Sequence, residues 1–315
     1  MILKGKDLLG LEELSRDEIL GILDTAEQFR TIFDRPVRKV PIMRGRTIVN
    51  LFFEPSTRTR ISFELAENRL SADIVNFAAS TSSLKKGETL RDTAENIAAM
   101  KVDMIIMRHS SPGAAMYLAN VLDCSVINAG DGAHEHPTQG LLDLMSMRQR
   151  LGNLEGKKVT IIGDIAHSRV ARSNIYGLNH LGAEVTVCGP STMVPGAIAK
   201  LGAKVENDLH SAVADADVLN VLRIQLERQS RHVFPSNREY HRMYGVTEDV
   251  MRLTKPDCFV MHPGPMNRDV EISSEVADGP RQVILDQVTN GVAVRMAIIY
   301  LLGGGDPGKL GSSAA

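Results

Sequence analysis

The stretch Thr47-Ile48-Val49-Asn50-Leu51-Phe52-Phe53-Glu54-Pro55-Ser56-Thr57-Arg58-Thr59-Arg60 decides the fold class. Its first seven residues are apolar or β-branched apart from Asn50, which is the composition of a strand buried on both faces. Pro55 ends that run, and Ile61, Phe63, Leu65 and Ala66 then resume a helical apolar pattern. The segment therefore reads as strand, turn and helix start, the repeating half of a parallel sheet covered by helices.

The same alternation extends along the chain in both directions. Further candidate strands are Asp73 to Phe77, Met104 to Met107 and Ser125 to Asn128, with a helix from about Pro137 to Arg150. A polar turn, Gly152-Asn153-Leu154-Glu155-Gly156-Lys157-Lys158, separates these from a second series: Val159 to Gly163, Glu184 to Cys188, Val218 to Leu222, Cys258 to Met261 and Val283 to Leu285. The class is α/β, with a boundary near residue 150. A periodic helix covers Asp286 to Leu302, and the small residues from Gly303 to Ala315 suit a frayed tail.

A length of 315 residues exceeds what one hydrophobic core usually organises, so two domains are expected. The 36 basic and 38 acidic residues leave a formal charge of -2, which offers no global field for nucleic acid or an anionic membrane. An anion site must then be local. Cys124, Cys188 and Cys258 are far apart and contain no C-x-x-C pair, which fits a reducing cytoplasmic setting better than disulfides or structural zinc. The N-terminus lacks an export h-region, and the most apolar late stretch, Val292 to Leu302, is interrupted by Arg295.

The turn after the first strand is the strongest chemical signal. Unpaired N–H groups at a helix N-terminus sit at the positive end of the helix dipole, and hydroxyls with an arginine placed there suit a phosphate dianion. An isolated Ser-Thr-Arg is more often an ordinary N-cap with solvated side chains. Here Thr59 and Arg60 extend the set.

Residues 53–60 resemble the carbamoyl phosphate signature of the aspartate and ornithine carbamoyltransferase family. Six further motifs follow in that family's order: Lys85-Lys86-Gly87-Glu88-Thr89, Met107-Arg108-His109, His136-Pro137-Thr138-Gln139, Gly163-Asp164 with Arg169, the run from Arg223 to Arg228, and His262-Pro263-Gly264-Pro265. The resemblance covers Leu8 to Leu301. Glu54, Thr138, the Arg223-x-Gln225 loop and His262-Pro263-Gly264-Pro265 stand where ornithine enzymes carry other residues, and all four point to aspartate as acceptor. An ornithine or related carbamoyltransferase is the alternative.

The resemblance implies two domains, each a parallel β-sheet flanked by helices, with the active site in the cleft between them. Residues 1–150 would bind carbamoyl phosphate and residues 151–285 aspartate, with the C-terminal helix 286–305 packing back on the first. Ser56, Thr57 and Arg58 would hold the phosphate with help from Arg108. Thr59, Arg108 and His136 would donate to the carbonyl oxygen, and Gln139 with the carbonyls of Gly264 and Pro265 would accept from the carbamoyl NH2. Arg169, Arg223, Gln225 and Lys86 would meet the two carboxylates of aspartate, a task that suits the bidentate guanidinium. In relatives the loop carrying Ser82 and Lys86 enters the neighbouring subunit's site, which implies a homotrimer with shared active sites.

No cofactor is expected. His134-Glu135-His136 could suggest a metal pair, but no further ligand set accompanies it, and His136 reads better as a neutral donor. Gly163-Asp164 follows a strand without the G-x-G-x-x-G of dinucleotide sites. Arg228, Arg231, Arg238 and Arg242 read as a solvated face. Among partners, a regulatory chain and a dihydroorotase are the assemblies to test for; no zinc-ligand cysteine cluster of a regulatory module is present.

Overall fold

The computed structural model describes residues 3–78, 88–224 and 234–310. The chain forms two compact units. The first comprises Met1–Leu142 with Thr289–Ala315, and the second Asp143–Val288.

In the first unit, β1 (Thr47–Phe52), β2 (Asp73–Ala78), β3 (Met104–His109) and β4 (Ser125–Asp131) make a fully parallel sheet in the order β2-β1-β3-β4. The helices of this unit are α1 (Arg16–Arg30), α2 (Thr57–Leu70), α3 (Leu90–Ala99), α4 (Ala114–Val121), the start of α5 (Pro137–Leu151) and the chain's last α-helix from Thr289 onward. β3 and β4 are buried over nearly their whole length, as central parallel strands require. Val49, Leu51, Ile105, Met107, Leu118 and Val126 belong to one core cluster. Both β3 and β4 run farther than the apolar pattern suggests, because the polar residues Arg108, His109 and Asp131 continue the ladder past its apolar part.

The second unit holds β5 (Lys158–Ile162), α6 (Arg169–His180), β6 (Glu184–Cys188), β7 (Lys204–Glu206), α7 (Leu209–Val213), β8 (Val218–Val221), α8 (Asn237–Tyr244), α9 (Glu248–Met251), β9 (Phe259–Met261), α10 (Ser274–Asp278) and the start of α11 (Ile284–Leu302). Its parallel sheet has the order β7-β6-β5-β8-β9. β7 is a short edge strand whose sequence, Lys204-Val205-Glu206, carries too little apolar signal to be read in advance.

Residues 283–285 correct an expectation. They form no strand: Gln282 makes one isolated bridge with Val260, Val283 N–H donates to the Val260 carbonyl, and the helix begins at Ile284. Gln282 Oε1 accepts from Ile284 N–H at 2.7 Å and so starts the helix. A three-residue apolar run is too short to separate strand from helix by period alone. α11 is long and apolar enough to cross a membrane, yet 78% of its most apolar window is buried inside the protein, as in a core helix.

Each sheet reverses direction once. In the first, β1 is followed by β2 on one side and by β3 on the other; in the second, β5 is followed by β6 on one side and flanked by β8 on the other. Such switch points leave a crevice at the carboxyl ends of the strands, where α/β proteins bind ligands.

Candidate active site

At the first switch point, Phe52 pairs with Arg108 across the β1–β3 ladder, and Phe53 N–H donates to the Arg108 carbonyl at 2.9 Å. The chain leaving β1 therefore passes directly beside the arginine. Arg108 is buried, donating from Nη1 to the Ala129 carbonyl at 3.1 Å and from Nη2 to Glu54 Oε1 at 3.3 Å. Glu54 was legible in the sequence only as a family marker. The structure makes it the carboxylate that aims Arg108, a role readable only once β1 and β3 are known to be neighbours.

Ser56 takes the N-cap backbone position of α2, but its hydroxyl makes no capping hydrogen bond. Ser15, Thr89, Ser168, Ser236 and Ser273, by contrast, each accept from an N–H in the first turn of their helix. The first turn of α2 thus presents Thr57 and Arg58, both exposed, and Thr59, buried, with its N–H groups in the arrangement that favours anions.

The β4–α5 connection sorts its acid and imidazole groups into separate tasks. His134 Nδ1 lies 3.1 Å from Asp131 Oδ2. That hydrogen bond is the main reason the His134 pKa is raised. Burial alone would raise the Asp131 pKa, but hydrogen bonds from His134, Asn128 and Gly113 N–H outweigh it and hold the value low. Glu135 is buried and accepts from the backbone N–H groups of Leu11 and Glu12. His136 is buried, with Nδ1 3.4 Å from Thr138 Oγ1, and Gln139 N–H donates to its carbonyl. Among the described residues, no group of three or more His, Cys, Asp or Glu side chains comes together as a metal site would require.

In the second unit, Gly163 ends β5 with a φ of 135°, and a Cβ there would meet Leu222 Cβ at 3.0 Å. Asp164 pairs with His167 at 2.9 Å, and the Ser168 hydroxyl caps α6, whose first residue is the buried Arg169. Arg223 follows β8 and is half-buried. After β9, His262 shapes its loop: Nδ1 accepts from Gly264 N–H at 2.8 Å and Nε2 faces Glu271 Oε1 at 3.1 Å. Asn267 Nδ2 donates to the Ile224 carbonyl and its N–H to Glu271, so this loop is tied to the residue beside Arg223. Sequence reading missed Asn267 and Glu271, which carry no motif of their own. The Gly264–Pro265 peptide is cis.

Arg58, Thr59, Arg108, His136 and Gln139 thus gather at the carboxyl ends of β1, β3 and β4, whereas Arg169, Arg223, Gly264 and Pro265 follow β5, β8 and β9. Ser82, Lys86 and Gln225 lie outside the described residues.

Two family models match the chain. The aspartate/ornithine carbamoyltransferase carbamoyl-P binding domain covers residues 6–149, and the Asp/Orn binding domain of the same family covers residues 155–302. The aspartate carbamoyltransferase catalytic subunit of Syntrophotalea carbinolica is 61% identical over 314 residues, spanning 100% of both chains. Among solved structures, an aspartate transcarbamoylase from Trypanosoma cruzi in complex with carbamoyl phosphate and aspartate is similar at a TM-score of 0.84 and 31% identity, covering 94% of this chain and 96% of that one. The ornithine carbamoyltransferase of Pyrococcus furiosus also gives 0.84 at 31% identity, with 96% and 98% covered. Fold alone therefore does not separate the two acceptors, but fold, motif order and full-length identity together put this chain in the aspartate/ornithine carbamoyltransferase family.

Proposed function

We propose that this chain is an aspartate carbamoyltransferase. It transfers the carbamoyl group of carbamoyl phosphate to the amine of L-aspartate, giving N-carbamoyl-L-aspartate and phosphate, an early step of pyrimidine synthesis. The observation that carries the reading is the buried Arg108, held by Glu54 and the Ala129 carbonyl beside the uncapped Ser56 turn. Full-length relatives at 57–61% identity, all bearing the aspartate name, support this acceptor over ornithine.

In this reading the amine attacks the carbamoyl carbon, the new C–N bond forms, and the bond to the phosphate oxygen breaks. Negative charge grows on the carbonyl oxygen and on the leaving phosphate, so catalysis needs donors at both places. Thr59, Arg108 and His136 serve the carbonyl oxygen; Ser56, Thr57 and Arg58 serve the phosphate. Gln139 and the carbonyls of Gly264 and Pro265 orient the NH2, and Arg169, Arg223, Gln225 and Lys86 hold the carboxylates of aspartate. The departing phosphate takes the amine proton. No covalent enzyme intermediate is required, and proximity with electrostatics supplies the rate.

The working enzyme is a cytoplasmic homotrimer in which Ser82 and Lys86 serve a neighbouring chain's site. Sedimentation of native extract distinguishes a bare trimer from an assembly with a regulatory chain or dihydroorotase. The test of the activity is an assay of purified protein with carbamoyl phosphate and either amino acid. Carbamoylaspartate should accumulate and citrulline should not; the reverse would assign the chain to ornithine.

A further inference from the structure

Arg295 is a charged residue on the apolar helix α11, almost fully buried at 3% exposure. Its two terminal nitrogens meet two hydroxyls and a backbone carbonyl, and its face meets an aromatic ring. Nη1 donates to Ser62 Oγ at 3.0 Å and to the Gly291 carbonyl at 2.8 Å, Nη2 donates to Thr138 Oγ1 at 3.3 Å, and the guanidinium carbon lies 5.0 Å from the centre of the Phe63 ring. A Cβ at position 291 would meet Arg295 Nη1 at 2.7 Å, so glycine there makes room for the guanidinium.

A guanidinium has donors only, so at Thr138 the hydroxyl oxygen must accept. One of the hydroxyl's two lone pairs is thereby occupied, and its single hydrogen is available to its other neighbour, His136 Nδ1, at 3.4 Å. A nitrogen that accepts a hydrogen bond carries no proton, and a neutral imidazole then carries its proton on Nε2. Both Thr138 and His136 are buried, so water does not readily replace either bond. We infer that Arg295 and Thr138 are positioning residues that lock His136 in the Nε2–H tautomer, the form in which a neutral histidine can donate to a developing oxyanion.

This relay deepens the proposed reaction and rests on it for its purpose, while the tautomer itself can be read without any turnover. It also gives α11 a task that the motif order did not show, since Arg295 lies far in sequence from every motif quoted above. Thr138 would then matter for its hydroxyl, not for its size.

The test uses full-length protein labelled with 15N at histidine, with the His136 signals assigned by their loss in His136→Ala. In the wild type at a pH where the ring is neutral, the unprotonated nitrogen should be Nδ1. Thr138→Val, which keeps the shape and removes the hydroxyl, should populate the Nδ1–H tautomer and lower kcat about tenfold or more, while Thr138→Ser should restore both. Arg295→Met should act in the same direction as Thr138→Val. A wild-type His136 protonated at Nδ1 overturns the inference, and so does a Thr138→Val protein that keeps both the Nε2–H signal and normal kcat. If the valine variant fails to fold, the wild-type tautomer decides alone. Failure of the activity reading would appear separately, as wild-type protein that forms no carbamoylaspartate.

Discussion

Glu67 on α2 buries its carboxyl completely against β1, where Asn50 Nδ2 donates to Oε2 at 2.9 Å. Burial pushes its pKa from the ordinary 4.5 to about 8, even though the Asn50 hydrogen bond works the other way. Glu67 Oε1 and Asn50 Oδ1 are also buried without a hydrogen-bond partner, which a neutral acid tolerates better than a carboxylate. Between those two pKa values the folded state keeps a proton that the unfolded chain has released. Stability is therefore expected to fall as pH rises through that window, by up to ~1.4 kcal/mol per pH unit from this group. Glu67→Gln mimics the neutral acid, so its advantage over the wild type should grow from about pH 5 to about pH 8 in denaturant unfolding. A difference that does not change with pH would show that Glu67 does not titrate there. At the same scale, Arg108→Ala should lower turnover on the order of a hundredfold with the fold intact. Glu54→Gln should lower it less, on the order of tenfold, because the guanidinium remains but its aim is loosened. Normal steady-state kinetics in Arg108→Ala would remove that arginine from the reaction.

Helices α5 and α11 supply more than packing. Asp143 of α5 is fully buried and accepts from Asn174 Nδ2 at 2.8 Å and from Gln287 Nε2 at 2.7 Å. Gln287 Oε1 in turn accepts from His262 N–H, the residue that shapes the loop carrying Gly264 and Pro265. Three helices and one loop of the second unit are thus joined by one buried polar chain, and such a chain is stabilising only when complete. Gln287→Leu strips Asp143 of one donor and His262 N–H of its acceptor. It should cost about 3 kcal/mol in equilibrium unfolding, and a loss below about 0.5 kcal/mol would mean that water replaces the amide. The end of β5 gives a second case. Gly163→Ala must hold an L-residue at a φ of 135° with its Cβ against Leu222, so a loss of roughly 2 kcal/mol or more is expected. The same change should weaken activity through Arg169, which follows on α6.

At the scale of the whole assembly, the proposal makes each active site from Arg58 of one chain and Lys86 of the next, and this head-to-tail arrangement closes as a ring of three. Arg58→Ala and Lys86→Ala proteins should each be inactive, yet mixing them after mild unfolding should restore activity. In a ring containing both variants, one junction brings an intact Arg58 to an intact Lys86. About three-quarters of random trimers are mixed and each has one good site in three, so roughly one quarter of wild-type activity should return. If mass spectrometry shows that chains exchanged while activity stays at the parental background, Lys86 does not serve a neighbour's site.

The sequence by itself determined the α/β class, because buried parallel strands and amphipathic helices differ in period and composition, and eight of its nine candidate strands start within one residue of where the ladder begins. It also delivered the motifs of the proposed site, since most follow a strand or, like Arg108, end one, and so need little long-range information to be placed at a strand end. Only the tertiary structure decided which of those ends are neighbours. Glu54 beside Arg108, Asn267 beside Ile224, Gln287 beside His262 and Arg295 beside Thr138 are all contacts between residues far apart in the chain. Local propensity carries no trace of them. They arise because parallel strands can be joined only by long crossovers, so the order in which strands lie side by side differs from the order in which they are synthesised.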